Sequence, residues 1–239
     1  MKAIYFLCML FYMTTSFTQE DRWKDFKRQT NQEGAAIIGW YDSEKYLLMM
    51  DIIHENQCRQ CIEIGVYAGS SLFSIMKTLQ YNGSGIVHAI DAWDRCEAIS
   101  GLDPNDSNTK KLGIVDFDTL YKMCLGLIDQ HELQSCCNVI RKPSREAVYL
   151  FDDNSIDFIH FDGSYCVETA FQDVVFYLPK IKDNGFILLN NPHWYPMRKA
   201  LVYLLERTDI ISSYDRYKSY LLLRKNDKKI QNAKALMKY

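Results

Sequence analysis

From Cys61 to Ser71 the chain reads Cys-Ile-Glu-Ile-Gly-Val-Tyr-Ala-Gly-Ser-Ser, an apolar run that breaks into glycine and then into hydroxyl residues ahead of an amphipathic segment. That order predicts a strand, a tight turn and the start of a helix. Glycine at 65 and 69 lets the backbone turn sharply and come close to a ligand, while the free N–H groups at the helix start point outward. A turn of this kind suits a nucleotide cofactor, and it places the chemistry at the end of the first strand.

The rest of the chain supplies the strands such a turn needs. Short apolar runs predict strands at 61–64, 86–91, 138–141, 156–161 and 186–190, and longer amphipathic patterns predict helices at 43–56, 70–80, 117–130, 167–178 and 195–207. This alternation predicts an α/β fold: one doubly wound, mostly parallel sheet with helices on both faces. Two further runs, 210–214 and 217–224, are separated only by Asp215 and Arg216 and predict a C-terminal antiparallel hairpin. The polar connection 94–115 is long enough to be a functional lid or a surface loop.

At 239 residues the chain suits one cored domain, expected over 43–225, with a polar extension at 19–42 and a basic tail at 226–239. A net charge of −2 provides no basic field, which argues against nucleic acid as a partner. Of the eight cysteines, seven lie beyond Cys8, an odd number that gives no bridge framework. Cys58 and Cys61 have the spacing of a metal half-site but no partner pair, and read as buried small hydrophobes. Residues 1–18, with Lys2 ahead of an apolar run to Met13, resemble a secretory signal or a helical leader and are too short to span a bilayer. Cleavage there would export the protein, and retention would leave it cytoplasmic.

In open α/β sheets ligands sit beyond the carboxyl ends of the strands. Asp91 ends the second strand, where a carboxylate accepts hydrogen bonds from ribose hydroxyls or else caps the next turn. Trp93 offers an aromatic face beside a base, or a rim anchor for the long connection. Glu63 lies inside an apolar strand and needs partners there, either a cationic group such as a sulfonium or the N–H groups of the glycine turn.

Four blocks in order, 63–71 (Glu-Ile-Gly-Val-Tyr-Ala-Gly-Ser-Ser), 89–93 (Ala-Ile-Asp-Ala-Trp), 155–163 (Ser-Ile-Asp-Phe-Ile-His-Phe-Asp-Gly) and 178–186 (Leu-Pro-Lys-Ile-Lys-Asp-Asn-Gly-Phe), resemble class I S-adenosylmethionine-dependent methyltransferases. Within that class the blocks resemble the small O-methyltransferase-like group that includes the macrocin and catechol types, and the likeness runs over 43–224. The resemblance implies a Rossmann-like methyltransferase fold with S-adenosylmethionine as cofactor. It implies Gly65, Tyr67, Gly69 and Ser71 around the methionine part, Asp91 on the ribose, and Ser144 and Arg145 beside the adenine. Asp162 matches an acidic residue near the transfer centre, which in metal-dependent relatives binds Mg²⁺ with an Asp-Asn pair; here the pair is Asn190 and Asn191. The missing carboxylate at 190 removes a full charge from that set and makes metal dependence doubtful. Tyr165 stands where many relatives carry a histidine, and His193 is the other candidate base.

The expected reaction is O-methyl transfer to a small molecule or glycan, the acceptor cavity being lined by the 94–115 connection and the segment before Ser43. Two alternatives are a cofactor-binding relative without turnover, suggested by Tyr165 and Asn190, and a nicotinamide-dependent oxidoreductase. The second is disfavoured because Gly65 and Gly69 are four apart, with no G-x-G pair to admit a pyrophosphate. An exported enzyme would be separated from its donor, a tension that the leader leaves open.

Overall fold

The computed structural model of the protein describes residues 18–211 and 219–236. Seven strands, β1 (Gln60–Ile64), β2 (Ile86–Asp91), β3 (Cys137–Arg141), β4 (Ile156–Phe161), β5 (Ile181–Asn190), β6 (Thr208–Ile210) and β7 (Tyr220–Lys225), form one sheet in the order β3-β2-β1-β4-β5-β7-β6. The first five strands are parallel; β7 runs antiparallel to both β5 and β6. This is the mostly parallel sheet with an antiparallel C-terminal pair that the sequence predicts, although β6 begins and ends earlier than expected. The turn placed at Asp215 and Arg216, and the leader up to residue 17, lie outside the described residues.

The helices, in chain order, are α1 (Gln19–Gly34), α2 (Ser43–Glu55), α3 (Ser70–Asn82), α4 (Arg95–Ile99), α5 (Ser107–Gly113), α6 (Phe117–Gln130), α7 (Ser144–Ala147), α8 (Val167–Tyr177), α9 (Arg198–Leu205) and α10 (Asp227–Leu236). Among the described residues none is long and apolar enough to cross a membrane. Because the central strands are covered on both faces, alternate residues of each are buried in different layers. Cys61, Val87, Phe158 and Leu188 pack under α2, α3 and α6, while Ile62, Ile90, Ile159 and Ile187 pack over α8 and α9. Cys58 and Cys61 are free and buried in the first layer.

Two segments hold more structure than their polarity suggests. The 19–42 extension contains α1, opened by a capping box between Thr18 and Asp21 and fastened by Trp23, whose ring stacks on His54 at 4.0 Å and whose Nε1 donates to Asp51 at 2.9 Å. The 94–115 connection is not a bare loop: it folds into α4 and α5, capped by Asp94 and Asp106.

The end of β1 is set by close backbone packing. Gly65 has φ of +84°, and a Cβ there would lie 2.2 Å from the Asp162 carbonyl oxygen. Its N–H donates to the Ile90 carbonyl at 2.9 Å, and the Asp162 N–H donates to the Ile64 carbonyl at 2.9 Å, so the ends of β1, β2 and β4 are tied at one point. Gly83 also has positive φ, +67°, but open space around it. Replacing Gly65 by alanine is therefore expected to cost on the order of 3 kcal/mol or more in urea unfolding, and Gly83→Ala only about 1 kcal/mol. Gly126→Ala, on the exposed face of α6 with nothing near it, should stabilise by about 0.5–1 kcal/mol.

Candidate active site

A crevice of about 190 Å³ opens over the C-terminal ends of β1, β2 and β4, where the strand order reverses on either side of β1. Gly65, Tyr67, Ser71, Asp91, Ser144, Arg145, Asp162 and Tyr165 all line it. Its outer walls come from Ile38 to Trp40, ahead of α2, and from Asp94, Glu97, Leu112 and Phe117 of the long connection and its neighbour.

Asp91 clasps two turns. Its Oδ2 accepts from the N–H of Val66 at 2.9 Å and of Tyr67 at 3.0 Å, and its Oδ1 accepts from the N–H of Trp93 at 2.7 Å. Tyr67 and Trp93 both have positive φ, +56° and +42°, a conformation that these hydrogen bonds help to hold. The carboxylate therefore caps as well as facing the crevice. Trp93 departs from expectation: it is 1 % exposed, its Nε1 donates to the Tyr67 carbonyl at 2.8 Å, and its ring lies 5.0 Å from Tyr121 in the core. Burying that large apolar ring outweighs presenting it to a base or to the rim. Gly69 likewise does not line the crevice; its φ of +96° starts α3 beneath Leu127.

Glu63 faces the layer under α3, directly across from His160 on β4. It is fully buried and does not line the crevice. Its Oε1 accepts from the Ser71 hydroxyl and from His160 Nδ1 at 2.9 Å, while its Oε2 is buried without a partner among the described residues. Burial pushes the Glu63 carboxyl up to about 8 and the His160 imidazole down to about 3, so His160 is neutral and donates through Nδ1.

At the β3 end, Arg145 forks onto Glu97 of α4 at 2.6 and 2.8 Å, closing one wall of the crevice. The Ser144 hydroxyl donates to Asp173 Oδ1 at 2.5 Å, and the Tyr177 hydroxyl donates to the Ser144 carbonyl at 2.9 Å. Asp173, which lines the crevice from α8 and which burial raises to about 7, was not anticipated. A carboxylate on the helix face shared with Ala170, Val174 and Tyr177 is its only sequence signal.

At the β4 end, Asp162 also lines a small adjoining recess with Tyr165, Asn190 and Asn191. Asn190 Nδ2 donates to Asp162 Oδ1, and Lys45 of α2 reaches both residues, with Nζ 3.0 Å from Asn190 Oδ1 and 3.5 Å from Asp162 Oδ2. Three residues expected to offer oxygens to Mg²⁺ thus give one carboxylate and two amides, and an ammonium already sits on two of them. The donor set does not fit a divalent ion, and no group of three or more His, Cys, Asp or Glu among the described residues could hold one. His193 is exposed on the rim, edge-on to Trp194 at 6.4 Å, and lines neither cavity. The Tyr165 ring lies 5.5 Å from Trp194, and burial, with Asp162 nearby, pushes its phenol up to about 12, too high for a base at neutral pH.

The sequence profile of a family described as a methyltransferase domain matches residues 62–191, more than half of the chain and the part that builds the crevice. A methyltransferase of Podospora anserina bound to S-adenosylhomocysteine superposes with a TM-score of 0.57 at 13% identity, covering 85% of this chain and 88% of that one. An O-methyltransferase of Bacillus cereus in complex with S-adenosylhomocysteine gives 0.56 at 12% identity, with 90% and 95% covered. The O-methyltransferase TomG of Streptomyces achromogenes, in complex with S-adenosylmethionine, gives 0.57 at 11% identity, with 91% and 95% covered. Among curated proteins no sequence matches the chain.

The buried Glu63 sets a pH dependence. Its folded value near 8 lies above its ordinary value of 4.5, so the folded state holds a proton that the unfolded chain releases. The stability from this group is full below pH 4.5, declines as pH rises toward 8 and is gone above it. Thermal unfolding of Glu63→Gln should match the parent near pH 4.5 and gain on it steadily up to pH 8; parallel curves across that window would remove the buried proton from the account.

Proposed function

This chain belongs to the methyltransferase-domain family, and on that premise we propose that it moves the methyl group of S-adenosylmethionine to a hydroxyl oxygen of a small molecule. The observation that carries the reading is the convergence of the Gly65 corner, Asp91 and Asp162 on one crevice at the strand ends. The cofactors in the Bacillus cereus and Streptomyces achromogenes O-methyltransferases support the donor. The adenosyl part would lie between Asp91 and Ser144, and the sulfonium near the Gly65 corner.

Methyl transfer is an in-line displacement. The acceptor oxygen bonds to the methyl carbon as the carbon–sulfur bond breaks, the electron pair stays on sulfur, and the positive charge of the donor disappears. The chain mainly has to hold the two reactants in line and exclude water. The hydroxyl proton also has to leave. Tyr165 and His193 are unsuited, the first by its high proton affinity and the second because it lines neither the crevice nor the recess. Asp162 lines both the crevice and the recess, and burial raises its proton affinity, so it receives the proton. The aromatic faces at the opening, Trp40 beside Tyr67 at 5.3 Å and Tyr165 beside Trp194, suit a flat or ring-shaped acceptor, a phenol or a sugar.

Calorimetric titration with S-adenosylhomocysteine and, in parallel, with NAD tests the donor. S-adenosylhomocysteine should bind and NAD should not; the reverse would restore the oxidoreductase reading. Asp91→Ala should weaken S-adenosylhomocysteine binding at least tenfold. It should also lose about 1–3 kcal/mol of stability, because three backbone N–H groups lose their acceptor. Methyl transfer to a panel of phenols and sugars, read by mass spectrometry, tests the acceptor. Tight donor binding without transfer to any member would favour a relative that has lost turnover.

A further inference from the structure

Lys45 is 3 % exposed as a residue and comes from the first turn of α2, 145 residues before Asn190 in sequence. A buried ammonium is costly unless paired and hydrogen-bonded. Here it closes a ring: Lys45 Nζ donates to Asn190 Oδ1 at 3.0 Å, Asn190 Nδ2 donates to Asp162 Oδ1, and Asp162 Oδ2 lies 3.5 Å from Nζ. The backbone at its root is fixed as well, since the Lys45 N–H donates to the helix-capping Asp42 at 3.0 Å. From this geometry we propose that Lys45 is the resident cation of the Asp162–Asn190 site, filling it in place of a divalent metal and orienting Asp162 toward the crevice.

Charge and hydrogen bonding both favour this occupant. One carboxylate and one amide carry a single negative charge, which one ammonium balances; a divalent ion added beside Lys45 would leave the cluster with a net charge of two. The other groups facing it do not supply the missing anion. His160, 3.9 Å from Asp162 Oδ2, carries no negative charge in either protonation state, and the Glu63 hydrogen bonds run to Ser71 and His160 rather than to Lys45. The amide at 190 also has the right polarity for a relay: its carbonyl oxygen takes the ammonium proton and its N–H₂ is left for the carboxylate. An aspartate there would face Asp162 with like charge. The proposal deepens the methyltransferase reading by giving the acceptor side a cation built into the chain, so that Asp162 is held in place without any added ion.

Mn²⁺ titration followed by electron paramagnetic resonance, with S-adenosylhomocysteine calorimetry on the same samples, tests it. The parent protein, Lys45→Arg and Asn190→Asp, all of which keep a cation at the site, should leave Mn²⁺ free up to millimolar concentration. Lys45→Met combined with Asn190→Asp, which removes the ammonium and restores a carboxylate, should bind Mn²⁺ at least tenfold more tightly than Asn190→Asp alone. Binding of S-adenosylhomocysteine should stay within about threefold across the set. Mn²⁺ binding by the parent that is lost in Asp162→Ala would overturn the proposal, as would tight binding by Asn190→Asp with Lys45 intact. Should the double variant fail to fold, the Asn190→Asp result alone decides. Absence of S-adenosylhomocysteine binding throughout would instead sink the methyltransferase reading and leave the cation assignment standing.

Discussion

The contact between the Gly65 corner and the Asp162 backbone is the constraint on which the site depends. Any side chain at 65 would collide with the Asp162 carbonyl, and the two flanking hydrogen bonds hold the ends of β1, β2 and β4 together. That tie has two consequences. It opens the crevice directly above the point where the strand order reverses, and it sets Asp162 beside the glycine corner, so that residues nearly a hundred positions apart line one cavity. Asp91 completes the arrangement from β2 by capping the turn that follows Gly65.

Around the crevice the sheet and the helices packed on it carry buried polar groups in layers that are ordinarily apolar. Glu63, His160, Ser71, Lys45 and Asn190 are all buried, and each finds a partner within this group. Burial without partners would be prohibitive, so the network is a costly device, and it borders the crevice through Ser71 and the recess through Asn190. The Glu63 oxygen left unpaired and the neutral His160 mark where the network stays open. The Lys45 ring marks where it is closed.

The sheet was readable because its strands are short apolar runs with polar ends, and the four blocks at those ends led to the family. Where a single residue type allowed two roles, the sequence did not decide between them. Trp93 and Gly69 sit at the right strand ends, yet a large ring gains more from the core than from the crevice, and a positive φ can serve a helix start as well as a ligand. His193 was drawn in by its chemistry alone; nothing in the residues around it fixes its distance from Asp162. Helix α1 was hidden by low hydrophobicity, although Thr18 and Asp21 form a capping pair and Trp23 and Phe26 share one face. Lys45 was invisible for a different reason. Its partners are far away in sequence, and only the packing of α2 over the ends of β4 and β5 brings an ordinary helical lysine onto Asp162 and Asn190.

The most direct test of the account is a crystal structure of the protein with S-adenosylhomocysteine. The account predicts the ribose hydroxyls on the Asp91 carboxylate, the sulfur above the Gly65 corner and the Lys45 ammonium still seated between Asp162 and Asn190. Density for the ligand elsewhere, or a crevice closed by the chain's own Tyr67 and Arg145 side chains while the protein binds the ligand in solution, would contradict it.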